Sequence, residues 1–78
     1  MMNIRIEYCV VWNYEPRALS LRDDLSDQFG YWAELKPGER GAFEIFANNN
    51  IIFSKLKEDR FPEANEIVSF IEGVLNVT

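Results

Sequence analysis

The chain contains a single cysteine, Cys9, among its 78 residues, and no histidine. One cysteine cannot form an internal disulfide, so the fold must be stabilised by its apolar core alone. A chain of this length forms one domain, residues 1–78, and buries roughly 60% of the surface that the unfolded chain exposes. Small domains without disulfides are typical of a reducing compartment, and we therefore expect a cytoplasmic protein.

The composition excludes several classes of function. Without an imidazole the chain cannot supply Ser-His-Asp or Cys-His catalysis, or a zinc site with histidine ligands. Its 13 acidic and 8 scattered basic residues give a net charge of −5, which argues against binding to nucleic acid. No apolar run approaches the roughly 20 residues that span a bilayer. We expect no nucleic-acid partner, no membrane association, no metal and no tightly bound cofactor.

The first 30 residues predict a strand followed by a helix. Residues 3–9 alternate between two faces, as in a strand with one solvated face. Its apolar face comprises Ile4, Ile6 and Tyr8, and its polar face Asn3, Arg5, Glu7 and Cys9. Pro16 suits the first turn of a helix, which can extend over residues 16–28, and Gly30 suits a left-handed helix end.

The remainder predicts three more strands and a second helix. Residues 31–35 are predicted to form a short strand, and the Pro- and Gly-rich residues 36–41 a loop. Residues 42–47 and 51–54 form a predicted hairpin, because the asparagines between them tolerate positive φ. Residues 55–61 are a charged connection, and Pro62 can open the last helix. The apolar stripe of that helix comprises Ala64, Ile67, Val68, Ile71, Val74 and Leu75.

The order β-α-β-β-β-α predicts a two-layer α/β (α+β) sandwich, with both helices on one face of a mixed four-stranded sheet. The other face of the sheet is expected to be open. Its predicted members are Arg5, Glu7 and Glu44, with Trp32 or Phe46 as apolar members. Such a face is either solvated or a surface for a protein partner.

Cys9 is the residue most suited to chemistry. It ends the first strand just before a helix, where unpaired N–H groups and the helix dipole lower a thiol pKa. Arg17, in the first helical turn, can add positive charge. A free cysteine is also commonly a buried small hydrophobe. Both interpretations follow from the residues alone.

Several motifs make the chain resemble a known family. They are YCVVWNYEPRA at 8–18, GAFEI at 41–45, SK at 54–55 and RFPE at 60–63, followed by EI at 66–67. In this order and over nearly the whole chain they resemble the selenoprotein W branch of the SelT/SelW/SelH (Rdx) family. The resemblance implies a thioredoxin-like fold and a small cytosolic redox protein.

The resemblance also implies a redox pair in the first strand-helix loop, Cys-x-x-Sec or Cys-x-x-Cys, that acts on glutathione, peroxide or protein thiols. Cys9 holds the first position, and Trp12 holds the second. An indole can neither attack nor resolve a disulfide. The implied activity is that of a thiol oxidoreductase working through a mixed disulfide at Cys9, with glutathione as a co-substrate. Lys55, Lys57 and Arg60 form either a cationic spot for glutathione carboxylates or a solvated charge run.

Three interpretations of Trp12 remain open. Selenocysteine is encoded by UGA, one base from the tryptophan codon, so Trp12 can stand where the natural protein has selenocysteine. Alternatively, the protein is a natural variant that works through Cys9 alone. In the third interpretation it is a redox-inactive binding module, which docks on a protein partner through Val10, Val11 and Trp12 or through the open sheet face. Taken alone, Trp12 is a loop aromatic covering the edge of the core.

Overall fold

The computed structural model describes residues 2–75. Its elements are β1 Ile4–Cys9, α1 Glu15–Phe29, β2 Glu34–Gly38, β3 Phe43–Ala47, β4 Asn50–Ser54, α2 Lys55–Glu58 and α3 Ala64–Leu75. The sheet has the order β2-β1-β3-β4, in which β1 and β2 are parallel and the other neighbours antiparallel. The predicted mixed four-stranded sheet and element order are confirmed. The four-residue helix α2 is an addition within the predicted connection.

The core lies between the sheet and the two long helices. Leu21 and Leu25 of α1 and Ile67 and Ile71 of α3 are buried in one cluster with the apolar face of β1 and β3. Each fully buried side chain of this size contributes about 1.5–3 kcal/mol. Among the described residues, no helix is long and apolar enough to cross a membrane.

Local signals define the limits of α1 and of the hairpin. Pro16 occupies the first turn of α1, and Gly30 ends it at a φ of 72°, donating its N–H to the Ser26 carbonyl at 2.8 Å. Between β3 and β4, Asn48 and Asn49 have φ values of 53° and 69°. The left-handed helix end and the asparagine turn are therefore confirmed.

The position of β2 differs from the prediction. The strand covers Glu34–Gly38 instead of residues 31–35, so the predicted loop is wrong over 36–38. Parallel pairing with β1 continues to Tyr8 opposite Pro37 and Cys9 opposite Gly38. Pro37 is tolerated because β2 is an edge strand, where an N–H can be dispensed with.

The last helix begins at Ala64, two residues after Pro62. Its entry is held by Arg60, whose guanidinium donates to both carboxylate oxygens of Glu66 at 2.9 and 2.6 Å. Most of the predicted stripe is buried or half-buried, but Leu75 is 43% exposed. The stripe prediction is therefore wrong at its carboxyl end.

The open sheet face contains most, but not all, of the residues predicted for it. Arg5 forms an ion pair with Glu7 at 2.9 Å, and its guanidinium lies 4.2 Å from the Phe46 ring centroid. Trp32 is not a member of this face, because its ring instead contacts the Arg22 guanidinium of α1 at 3.9 Å. Of the two apolar residues predicted for this face, Phe46 therefore belongs to it and Trp32 does not.

Candidate functional site

A tight loop follows β1 and carries three exposed apolar side chains. The Asn13 N–H donates to the Val10 carbonyl at 2.9 Å, and the Tyr14 N–H donates to the Cys9 carbonyl at 3.0 Å. These bonds close the loop, and Val10, Val11 and Trp12 remain 57%, 71% and 53% exposed. Residues 9–12 are called the 9–12 loop below.

The Cys9 thiol lies beneath this loop and is 1% exposed. The Trp12 N–H donates to Sγ at 3.4 Å. Burial raises the pKa of the thiol, but the backbone N–H groups of Gly41, Trp12 and Val11, together with the positive charge of Arg40, more than offset it. The net result is a Cys9 pKa below its ordinary value, because a thiolate here is better solvated by the backbone than it is penalised by burial.

The sequence placed Cys9 on the solvated face of β1, and that prediction is wrong. The Cys9 N–H donates to the Ala42 carbonyl at 2.8 Å, which brings the β2–β3 connection against the end of the strand. Strand alternation describes the two faces of a sheet but cannot show a loop that crosses its end. The β2–β3 connection therefore buries the Cys9 thiol, and the alternation of residues along β1 could not have predicted this.

Gly41, in the same connection, also lies against the loop. It is buried with a φ of 81°, and a Cβ added there would lie 3.1 Å from Cζ3 of Trp12 and 3.7 Å from Cδ2 of Leu56. Gly41 and Arg40 were not singled out as site residues from the sequence. The signal that could have found them is the glycine of the GAFEI motif, since glycine permits both positive φ and close approach.

An aromatic cluster continues from the loop toward the core. The ring of Tyr14 meets those of Trp12, Phe61 and Phe43 edge to face, at centroid distances of 6.2, 4.8 and 6.5 Å. Phe43 and Phe61 meet at 5.4 Å. Edge-to-face pairs add about 0.5–1.5 kcal/mol each beyond their buried area, so this cluster gives the loop a firm base.

Two cations lie against the aromatic cluster. The Arg17 guanidinium is 4.0 Å from the Phe61 ring centroid, and the Lys55 Nζ is 5.2 Å from it and 5.4 Å from that of Tyr14. Arg17 was expected to act on the thiol, but Arg40 is the cation that lowers the Cys9 pKa. Of the three basic residues that the sequence suggested as a cationic spot, Lys55, Lys57 and Arg60, the last forms an ion pair with Glu66.

Glu44 fixes the position of α2 beside the site. Its carboxylate accepts a hydrogen bond from the Ser54 hydroxyl and another from the Leu56 N–H at 3.3 Å. The Ser54 hydroxyl oxygen in turn accepts the Lys57 N–H at 3.2 Å. The side chain of Glu44 is therefore buried rather than free on the open sheet face, and it holds Lys55 and Leu56 next to the cluster.

A thioredoxin-like α+β domain, with a thiol at the end of its first strand and a loop leading from it into α1, defines the class of this protein. The chain belongs to the Rdx family, whose family model matches residues 3–73. The family is redox-associated, and the resemblance carried by the sequence motifs is confirmed at this level.

Solved structures of other proteins share the fold of this chain. A selenoprotein W-related protein from Vibrio cholerae has a TM-score of 0.89 and 29% identity, with 96% of this chain and 98% of that chain covered. A protein from Bordetella parapertussis has a TM-score of 0.87 and 27% identity, with 92% and 95% covered. The thioredoxin-like fold is thus shared over essentially the whole domain.

Curated relatives extend the comparison to eukaryotes. The chain is 33% identical over 76 residues to migration and invasion enhancer 1 of Bos taurus and 32% identical to that of Mus musculus. These alignments cover 96% of this chain but 66% of each relative's length. A SelT-like protein of Arabidopsis thaliana is 49% identical over 35 residues, which is 45% of this chain and 17% of that protein.

Proposed function

We propose that the chain is a cytoplasmic, selenoprotein W-like thiol redox protein whose reactive atom is Sγ of Cys9. The observation that carries this proposal is the set of backbone N–H groups around Sγ, with Arg40 nearby, that lowers the Cys9 pKa despite burial. The thiolate is the nucleophilic form of cysteine. A lowered pKa therefore increases the fraction of reactive sulfur at neutral pH.

The proposed reaction is thiol-disulfide exchange. The Cys9 thiolate attacks a disulfide R–S–S–R, either glutathione disulfide or a protein disulfide. A Cys9–S–S–R bond forms, the original S–S bond breaks, and RS⁻ leaves and takes up a proton. Cys9 is oxidised and one half of the substrate is reduced.

Release from the mixed disulfide needs a second thiol. Trp12 carries no chalcogen, so an external thiol, glutathione or a protein cysteine, attacks the mixed disulfide and regenerates the Cys9 thiol. A selenocysteine at position 12 would instead resolve it within the chain. The codon of the natural gene separates these cases: UGA supports selenocysteine at position 12, and UGG excludes it.

A second candidate function is protein binding without redox turnover. It is favoured by the exposure of Val10, Val11 and Trp12 on one short loop, since adjoining apolar side chains in solvent are typical of docking surfaces. In that case the thiol would be structural. The loop, rather than Sγ, would then be the functional element.

Alkylation and adduct formation distinguish the two candidates. The rate of iodoacetamide modification is measured against pH, and glutathione disulfide adducts are measured by intact mass. A midpoint clearly below the ordinary thiol value of about 8.5 and a glutathione adduct are expected of the redox protein. An ordinary midpoint without an adduct would favour the binding module. Cys9→Ser is the control that removes both signals.

A further inference from the structure

Arg17 and Lys55 lie on the same aromatic ring and, within residues 2–75, neither forms an ion pair. Both contact Phe61, with the guanidinium at 4.0 Å and Nζ at 5.2 Å from the centroid. In that part of the chain the ion pairs are Arg5–Glu7 and Arg60–Glu66. In a chain of net charge −5, two neighbouring cations that are not engaged in ion pairs favour an anionic ligand.

A small cavity opens at this position. It has a volume of about 150 Å³ and is lined by polar side chains of α1, Arg17, Ser20 and Asp24, and by the rings of Phe43 and Phe61. Cavities that hold drug-sized ligands are about 300–1,000 Å³. This one fits a group of a few atoms, such as a carboxylate on a short arm. Asp24 opposes an anion, so the attraction comes from Arg17. Lys55 adds positive charge from its position 5.2 Å from the centroid of the Phe61 ring.

The cavity is linked to the 9–12 loop through packed residues. The ring of Phe61 packs on Tyr14 at 4.8 Å, and the Tyr14 N–H donates to the Cys9 carbonyl at 3.0 Å. On the other side, Leu56 follows Lys55 and packs toward Gly41, whose backbone stabilises the thiolate. The rings of Phe61 and Tyr14 thus link the two cations to Trp12 of the 9–12 loop.

We propose that Arg17 and Lys55 form a carboxylate-recognition site that makes Cys9 selective for anionic disulfides. A guanidinium stacked on a ring keeps its N–H edge free for a carboxylate, while Lys55 supplies a second point charge. This inference rests on the proposed redox function. The reaction is the exchange described above, in which R carries a carboxylate.

Three small disulfides of different charge test the selectivity. They are 3,3′-dithiodipropionate (anionic), bis(2-hydroxyethyl) disulfide (neutral) and cystamine (cationic). The rate of mixed-disulfide formation at Cys9 is measured by intact mass. Each rate is divided by the rate at which 2-mercaptoethanol reacts with the same disulfide, which corrects for the different intrinsic reactivities of the three disulfides. The net charge of −5 by itself favours cystamine. A normalised preference for the anionic disulfide, weakening with added salt, supports the carboxylate site.

Charge-neutralising variants locate the preference. Arg17→Gln and Lys55→Gln are each expected to lower the anionic-to-neutral rate ratio by about two- to fivefold, the range for exposed charge pairs. Lys57→Gln, on the same short helix but outside the cluster, is the matched control and should leave the ratio unchanged. Circular dichroism verifies that each variant is folded.

The outcomes separate the two proposals. Failure of all three disulfides to react with Cys9 would overturn the redox function. Reaction without an anionic preference, or a preference that Arg17→Gln and Lys55→Gln do not change, would overturn the carboxylate site and leave the redox function in place.

Discussion

The indole of Trp12 lies directly over the backbone of Gly41, so closely that a Cβ on Gly41 would be 3.1 Å from Cζ3 of the ring. The same glycine has a φ of 81° and contributes to lowering the Cys9 pKa. One contact thereby joins the 9–12 loop to the β2–β3 connection. The environment of the thiol depends on both segments.

Substitution of Gly41 should affect stability and acidity together. Gly41→Ala places a side chain at positive φ and against Trp12, and we expect a loss of about 1–3 kcal/mol in the free energy of unfolding, with a rise in the Cys9 pKa. Denaturant titration and pH-dependent alkylation measure the two effects. Gly73→Ala in α3 is the control: no described neighbour lies within 4 Å of the added Cβ, so it should stabilise the helix by roughly 0.5–1 kcal/mol. Equal effects at both sites would contradict this role of Gly41.

The Trp12 side chain should limit access to Cys9 without setting its pKa. Trp12→Ala removes the indole but retains the backbone N–H that donates to Sγ. We expect faster alkylation of the 1% exposed thiol, with the midpoint of the pH profile unchanged. Trp32→Ala, at an exposed tryptophan on the Arg22 side of α1, should leave the rate unchanged. A shifted midpoint in Trp12→Ala would instead assign the acidity to the indole.

A second thiol at position 12 should allow a mixed disulfide at Cys9 to be resolved within the chain. The backbone N of Trp12 is 3.4 Å from Cys9 Sγ, which places the residue within reach of a disulfide after side-chain adjustment. Trp12→Cys is expected to form a disulfide between Cys9 and the introduced thiol under mild oxidation, detected as a loss of two hydrogens in intact mass and of both alkylation sites. Val11→Cys is the control with an adjacent but misplaced thiol. If Trp12→Cys remained fully reduced, the loop geometry would be unsuitable for pair chemistry.

Glu44 should be required for the position of α2. Glu44→Ala leaves the Ser54 hydroxyl and the Leu56 N–H without their acceptor, at an expected cost of about 1–3 kcal/mol. Hydrogen exchange at the Leu56 amide should accelerate beyond the global effect. Glu7→Ala, on the facing strand position, removes a partly exposed ion pair and should cost at most about 1 kcal/mol. If Glu7→Ala lowered the free energy of unfolding more than Glu44→Ala, the role of Glu44 in positioning α2 would be contradicted.

The entry to α3 should make stability depend on pH in the acidic range. Hydrogen bonding to Arg60 lowers the pKa of Glu66. A carboxyl whose pKa is lower in the folded state stabilises the protein above its unfolded pKa, and this contribution is lost as pH falls through the folded pKa. Arg60→Gln should therefore reduce the acid-induced decrease in unfolding free energy, whereas Arg22→Gln should not. Parallel pH curves for Arg60→Gln and the unmodified protein would contradict this.

Local features of the fold could be predicted from the sequence, but long-range ones could not. Gly30 and the asparagines at 48 and 49 act through their own φ values, so their roles were predictable in advance. The extent of β2 could not be predicted, because Lys36 and Pro37 are strand residues only through pairing with β1. The burial of Glu44 could not be predicted either, because its carboxylate accepts hydrogen bonds from residues at the junction of β4 and α2.

The environment of the candidate site could not be predicted from the sequence. The place of Cys9 at the end of the first strand follows from the order of the elements, and position 12 is implied by the family resemblance. The burial of Cys9, the N–H of Gly41 and the charge of Arg40 come from a connection about 30 residues away. Sequence spacing cannot report such a contact, because loop closure depends on the whole sheet.

The packing of Trp12 over Gly41 also provides the molecule with an intrinsic optical reporter. A nearby disulfide quenches indole emission, and the other tryptophan, Trp32, is held against Arg22 by a separate contact. Oxidation of Cys9 should therefore change the emission of one tryptophan and leave that of the other. We therefore expect the emission of Trp12 to report, in real time and without a label, the redox state that we propose for the Cys9 thiol.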